Sequence, residues 1–184
     1  PGYALDVAAT QKAIFTAIST GELSQPLVLI GAEPKIPLED FKKMREVMAS
    51  FTTHFPARMS DRSKNIEIAA SRLSNIVLAP GEIVSFNGSV GQRTVQAGFK
   101  EAPVYNNGRH DTGVGGGICQ VSTTFYNAAL RADLKIVERR NHSMPVAYVP
   151  VGHDATVNWG TTDLKIQNNF GYPIGIISQY QRGS

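Results

Sequence analysis

The sequence predicts an α+β fold: a mainly antiparallel sheet with a cysteine-bearing helix packed against it, preceded by a small helix-strand-helix fragment. Two observations carry this. Helical spacing dominates the first two thirds of the chain, whereas after about residue 132 the apolar runs are short and strand-like, an order typical of segregated helices and strands. Paired turn residues such as Pro80-Gly81 and Asn106-Asn107-Gly108 join neighbouring runs closely enough for antiparallel pairing.

In order along the chain, residues 6–20 place Val7, Ile14 and Ile18 on one helical face, and Gly21 provides a stop. Leu27 to Ile30 reads as a short buried strand between Pro26 and Gly31. Leu38, Phe41, Met44 and Met48 return to helical spacing behind Pro37, which suits a first turn. These elements make a first segment of residues 1–48, too small for a sturdy domain by itself. Residues 49–184 form the main domain. There Asp61 is placed to cap a helix carrying Ile66, Ala69, Ala70 and Leu73, ending about Asn75. Strands are expected at 83–86 and 102–105, the second leading into the Asn106-Asn107-Gly108 turn. A helix from Ile118 to about Ala132 follows, packing Val121, Phe125, Ala128 and Ala129 inward, and strands are expected at 135–139, 146–149, 154–159, 163–167 and 174–180. No internal repeat is present.

Composition narrows the function classes. The 184 residues are 42% hydrophobic, enough to hide about 70% of the unfolded surface and to hold a core without staples. One cysteine excludes an internal disulfide, a zinc finger and a cysteine-ligated cluster. The net charge of +3 comes from scattered Lys and Arg rather than a basic stripe with aromatic platforms, which argues against nucleic acid as a partner. No apolar run reaches the roughly 18 residues of a membrane span. A chain that opens Pro1-Gly2-Tyr3 without Met reads as an excised segment, so the missing targeting signal says nothing about the parent protein.

Chemistry concentrates in Gly113-Val114-Gly115-Gly116-Gly117-Ile118-Cys119-Gln120-Val121-Ser122-Thr123-Thr124. Four glycines in five positions sacrifice backbone entropy, which a chain tolerates where the main chain takes positive φ or approaches another group closely. Cys119 falls in the first turn of the helix, at the positive end of its dipole among N–H groups without intrahelical partners. That placement favours the nucleophilic thiolate. Amides of Gly115, Gly116, Gly117 and Ile118 can hold an oxyanion. A cysteine nucleophile needs a base and a group that orients it. Of His54, His110, His142 and His153, the best placed is His142, just beyond the strand that returns from the cysteine helix, and Asp154 can accept its second ring proton. Arg139, Arg93 and Arg62 are candidates for binding substrate carboxylates. Gln120, Ser122 and Thr123, the polar residues flanking the cysteine, are further candidates for substrate contact.

Other readings stand beside this one. Cys119 can be a small buried hydrophobe in a non-catalytic module whose glycine loop grips a peptide or glycan. A phosphate-binding loop lacks its Lys-Ser or Lys-Thr. Cys119, His142 and Asp154 are legitimate zinc ligands, but no His-x-His or His-x-x-x-His spacing supports a site, and neither metal nor cofactor is expected.

Taken together, Arg62-x-x-Asn65-Ile66, Pro80-Gly81-Glu82-x-x-Ser85-Phe86-Asn87, Gly115 to Thr124, Arg139-x-x-His142-Ser143, Tyr148-Val149-Pro150 and Gly152-x-Asp154-Ala155-Thr156-Val157 resemble, in order, the VanW-like domain over about residues 50–180. Residues 1–48 resemble the end of the peptidoglycan-binding domain that often precedes it in exported proteins of Gram-positive bacteria. The resemblance implies an extracellular parent at the cell wall, touching membrane only through a tether outside this chain. It also implies L,D-transpeptidation of peptidoglycan stem peptides with Cys119 as nucleophile, and it puts the family's histidine and aspartate on His142 and Asp154. The Ser/Thr-His-Gly-Cys signature of better-known L,D-transpeptidases is absent, so shared chemistry would mean a different scaffold. A hydrolase using the same residues, a cysteine peptidase or amidase, would differ only in the acyl acceptor.

Overall fold

The computed structural model describes residues 2–56, 58–106 and 109–182. The chain divides into two compact units, residues 1–42 and 43–184.

In the first unit, β1 (Gly2–Leu5) pairs antiparallel with β2 (Leu29–Ala32), and α1 (Val7–Thr20) lies between them in sequence. Asp6 caps α1 by accepting the Ala9 N–H (2.9 Å), and Gly21 closes it at φ 76°. The expected apolar face exists but points outward: Val7 and Ile18 are largely exposed, whereas Thr10 and Ala17 are buried. Thr10 belongs inside because its hydroxyl accepts the Val28 N–H. β2 is likewise exposed rather than buried, and β1 is a strand that the sequence pattern did not signal. The helix expected over 38–48 shrinks to α2 (Leu38–Phe41). Its apolar residues Leu38, Phe41 and Met48 remain exposed, and an amphipathic turn with nothing to pack against does not propagate.

The second unit contains α3 (Ser60–Arg72), β3 (Ile76–Leu78), β4 (Ile83–Ser85), α4 (Phe86–Val90), β5 (Glu101–Asn106), β6 (Arg109–Val114), α5 (Ile118–Arg131), β7 (Lys135–Glu138), β8 (Lys165–Gln167) and β9 (Ile174–Ile176). The architecture is α+β and every strand pair is antiparallel, but the strands form small separate sheets: β3-β9, β4-β8-β7 and the hairpin β5-β6. The expected hairpin is present, although its turn residues Asn107 and Gly108 lie outside the described residues. No strand forms at 146–149, and 154–159 contributes only two isolated bridges. Asp61 sits inside the first turn of α3 rather than capping it; Met59 holds the cap position without a side-chain bond.

The core of this unit gathers Phe86, Phe99, Leu73, Leu78, Leu164 and Ile166 with Ile66 and Ala69 of α3 and Val121, Phe125 and Ala129 of α5; Ala128 is only half-buried. Two fully buried asparagines tie irregular backbone to this core. Asn65 accepts the Lys100 N–H (2.7 Å) and donates to the Lys100 and Gly116 carbonyls (2.9 and 3.0 Å). Asn168 donates to carbonyls of Leu78, Ala79 and Tyr172. Buried polar side chains are stable when so fully satisfied, and Asn65 thereby fastens the glycine loop to α3.

Candidate active site

The glycines ahead of Cys119 meet distinct requirements. Gly115 and Gly117 adopt φ 91° and 105°, which side chains disfavour. At Gly116 a Cβ would lie 2.6 and 2.7 Å from the Pro103 and Ala102 carbonyl oxygens, so only glycine lets the loop press onto β5. The loop delivers Cys119 to the first turn of α5, half-buried. Amides of Gly115 and Ile118 are spent on the Lys100 and Gly115 carbonyls. These two are therefore not free for an oxyanion, whereas the N–H groups of Gly116, Gly117 and Cys119 meet no backbone acceptor among the described residues.

His142 reaches the sulfur through a chain reversal. After α5, Asp133 turns at φ 56° and β7 leads back toward the start of the helix. Arg140 then bridges Thr156, whose N–H donates to the Arg140 carbonyl at 2.8 Å. Continuing that antiparallel register two residues sets His142 opposite Asp154. Asp154 Oδ2 accepts the His142 backbone N–H (2.6 Å) and lies 2.6 Å from His142 Nδ1. With Nδ1 so engaged, the ring interacts electrostatically with the Cys119 thiol, each group shifting the titration of the other. Cys119 Sγ also lies 3.6 Å from Thr156 Oγ1 and 3.6 Å from the Val157 carbonyl oxygen, which takes the S–H proton in the neutral form.

The electrostatics follow the contacts. Burial alone would push the Cys119 thiol up, but the nearby His142 and the Thr156 hydroxyl outweigh it and hold the thiol below its ordinary value. Burial would push His142 down; the sulfur and Asp154 raise it above the usual imidazole range. Asp154, despite its burial, is held below the usual carboxylate range by the His142 backbone and ring. A lowered thiol beside a raised imidazole is the pattern of a thiolate–imidazolium pair. Tyr148 was missed as a site residue. Burial and the nearby sulfur hold its phenol well above its ordinary value, so it stays protonated, and it is paired with Thr123. Its signal was the Tyr148-Val149-Pro150 motif, and that of Thr156 was its place two residues after Asp154 on an extended segment.

Other expected substrate contacts serve the scaffold. Ser122 and Thr123 are fully buried; the Ser122 hydroxyl donates to the Ala155 carbonyl (2.6 Å) and Thr123 accepts the Ala155 N–H (3.0 Å). They clamp the segment that carries Asp154 and leave nothing for substrate. Gln120 is buried between Arg62 Nη2 (2.6 Å), Thr53 and the His54 carbonyl. Arg139 supports the aspartate: its Nε donates to the Asp154 carbonyl and its Nη2 to that of Gly152, both at 2.8 Å. Arg62 and Arg93 keep buried nitrogens without hydrogen-bond partners. His153 is tied to Asn127 Oδ1 (3.1 Å), His54 contributes its carbonyl, and the His110 ring lies outside the described side chains. Among the described residues no group of three or more His, Cys, Asp and Glu is arranged to hold a metal ion.

Comparison with known proteins fits this frame. The family model for VanW like protein matches residues 61–184, which spans the glycine loop, Cys119, His142 and Asp154. The chain belongs to the VanW-like family. It is 45% identical over 137 residues, 74% of this chain and 45% of the relative, to the "Uncharacterized protein YoaR" of Bacillus subtilis (strain 168). It is 32% identical over 110 residues, 57% of this chain and 40% of the relative, to the "Vancomycin B-type resistance protein VanW" of Enterococcus faecalis (strain ATCC 700802 / V583). The chain thus spans less than half the length of these curated VanW-like relatives. No solved structure matches it.

Proposed function

We propose that this VanW-like domain is a cysteine acyltransferase of the cell wall that cross-links peptidoglycan stem peptides by L,D-transpeptidation outside the cell. The reading rests on one observation: the His142 ring is held by Asp154 at 2.6 Å and interacts electrostatically with the half-buried Cys119. Nucleophile, base and orienting carboxylate stand in series. The Cys119 thiolate attacks the carbonyl carbon of the third stem residue, forming the C–S bond as the carbonyl π electrons move to oxygen. Amides of Gly116, Gly117 and Cys119 are the donors at hand for that oxyanion. The C–N bond to the terminal D-alanine then breaks, and His142 gives its proton to the departing amine. The amine of a second stem attacks the thioester, His142 takes the proton back, and the new amide leaves Cys119 free.

The experiment is cross-linking of purified stem peptides by wild-type protein and by Cys119→Ala. Loss of the cross-linked product with an unchanged circular dichroism spectrum is expected, because removing an activated nucleophile ends covalent catalysis. Product formed equally by both proteins would exclude Cys119 as the nucleophile, and product formed by neither would end the proposal in favour of a wall-binding module.

A further inference from the structure

Arg93 carries the feature that the catalytic groups leave unexplained. Its stem lies against the glycine loop, where a Cβ on Gly115 would come within 3.1 Å of Arg93 Cβ and Cγ. Its guanidinium carbon lies 5.7 Å from the centroid of Phe86 and 6.0 Å from that of Trp159. Trp159 stands two residues beyond Val157, whose carbonyl touches the sulfur. The guanidinium therefore sits between the two segments that flank Cys119. Both terminal nitrogens, Nη1 and Nη2, are buried without a hydrogen-bond partner. Leaving a whole guanidinium edge unpaired away from water is costly unless something else fills it.

Among the described residues no hydrogen-bond acceptor does, although the Phe86 and Trp159 rings lie beside it. Asp163 is near, but its Oδ2 accepts from Ser85 Oγ and its Oδ1 from the Asn87 and Leu164 N–H groups. By contrast, Arg139 is committed to backbone carbonyls, and Arg62 donates through Nη2 to Gln120. Arg93 alone of the three presents both terminal nitrogens, the planar pair that fits the two oxygens of a carboxylate. Trp159, whose ring centroid lies 6.0 Å from the Arg93 guanidinium carbon, is 45% exposed and sits in the short turn between bridged Asn158 and Thr162.

We propose that Arg93 binds the free carboxylate of the residue that leaves, making the enzyme specific for donor peptides cut one residue from their C-terminal end. This rests on the acyl-transfer reading above, because it sets Arg93 on the leaving-group side of the bond attacked by Cys119. An internal peptide bond offers no carboxylate there and is refused by the unpaired guanidinium. Arg93 is thus the group that separates end-trimming acyl transfer from cleavage within a chain.

The test uses catalytically inert Cys119→Ala protein and two N-acetylated stem tetrapeptides, one ending in a free acid and one in a carboxamide. Binding is read by calorimetry and by the fluorescence of Trp159, the single tryptophan of the chain. The acid should bind roughly tenfold or more tightly than the amide, the range of a charge-assisted pair, with a change in Trp159 emission. That preference should vanish in Cys119→Ala/Arg93→Gln and largely vanish in Cys119→Ala/Arg93→Lys, which keeps the charge and the stem but not the fork. Equal binding of acid and amide, no binding of either, or a preference that survives both Arg93 substitutions overturns the assignment. Mass spectrometry of wild-type protein separates the two claims. An adduct at Cys119 formed equally from acid and amide removes Arg93 and keeps the acyl-transfer reading. A preference for the acid without any adduct removes that reading and keeps the carboxylate site.

Discussion

A free cysteine has a pKa near 8.5 and is mostly a thiol at neutral pH; here His142 and Thr156 work on Cys119 against its burial. His142 and the thiol move in opposite directions, which narrows the gap between them and favours the thiolate–imidazolium pair. The rate of iodoacetamide alkylation should therefore rise with pH at a midpoint below about 8.5 in the folded protein and revert toward it in denaturant. Asp154→Asn keeps the shape but removes the charge that supports His142, so its midpoint should move upward and acyl transfer should fall by about 100-fold or more. An Asp154→Asn protein with the wild-type alkylation profile would show that the carboxylate has no hold on the pair. The grouping of Cys119, His142 and Asp154 was legible in the sequence because residue type and spacing point to it. The jobs of Ser122, Thr123, Gln120 and Arg139 were not. Polarity beside a cysteine suggests substrate contact, and only the fold reveals that each donor already has a partner inside the chain.

At the scale of elements, the glycine loop and α5 are one device. Asn65 ties the Gly116 carbonyl to α3, the glycines let the loop lie on β5, and α5 then grips the Asp154 segment through Ser122, Thr123 and Asn127. Gly116→Ala would force a methyl group against the Pro103 and Ala102 carbonyls. Thermal denaturation should show a loss of about 1–3 kcal/mol, the usual cost of overpacking, together with slower Cys119 alkylation as the loop shifts. Unchanged stability would mean that the loop is not pressed onto the hairpin. Long periodic segments such as α1, α3 and α5 could be read in the sequence, because a buried face imposes a period. The expected strands at 146–149 and 154–159 could not. Residues 154–159 instead find their partners in side chains of α5 and in the bridges Arg140–Thr156 and Asn158–Thr162, so the apolar pattern there is satisfied without a ladder. Residues 38–48 failed as a helix for the converse reason: the period is present and the surface that would bury it is not.

Over the whole molecule, Cys119, His142 and Asp154, the main core cluster and the family match all fall within the second unit, residues 43–184. Its stability should carry a signature of the site. Asp154 titrates lower folded than unfolded, so its contribution is present above the ordinary carboxylate value of about 3.9 and is lost as pH falls through the folded value. Melting temperature should drop across that acid range in the wild type and drop less in Asp154→Asn. Identical acid limbs in the two proteins would count against the buried carboxylate–imidazole contact. The central claim, that Cys119 forms a thioester with a stem peptide, is tested most directly by mass spectrometry of the protein incubated with purified stem tetrapeptide and quenched in acid. The account predicts a mass increase equal to the tripeptide acyl group, mapped to Cys119 and absent from Cys119→Ala. An unmodified Cys119 after substrate has bound, or an adduct on another residue, would contradict it.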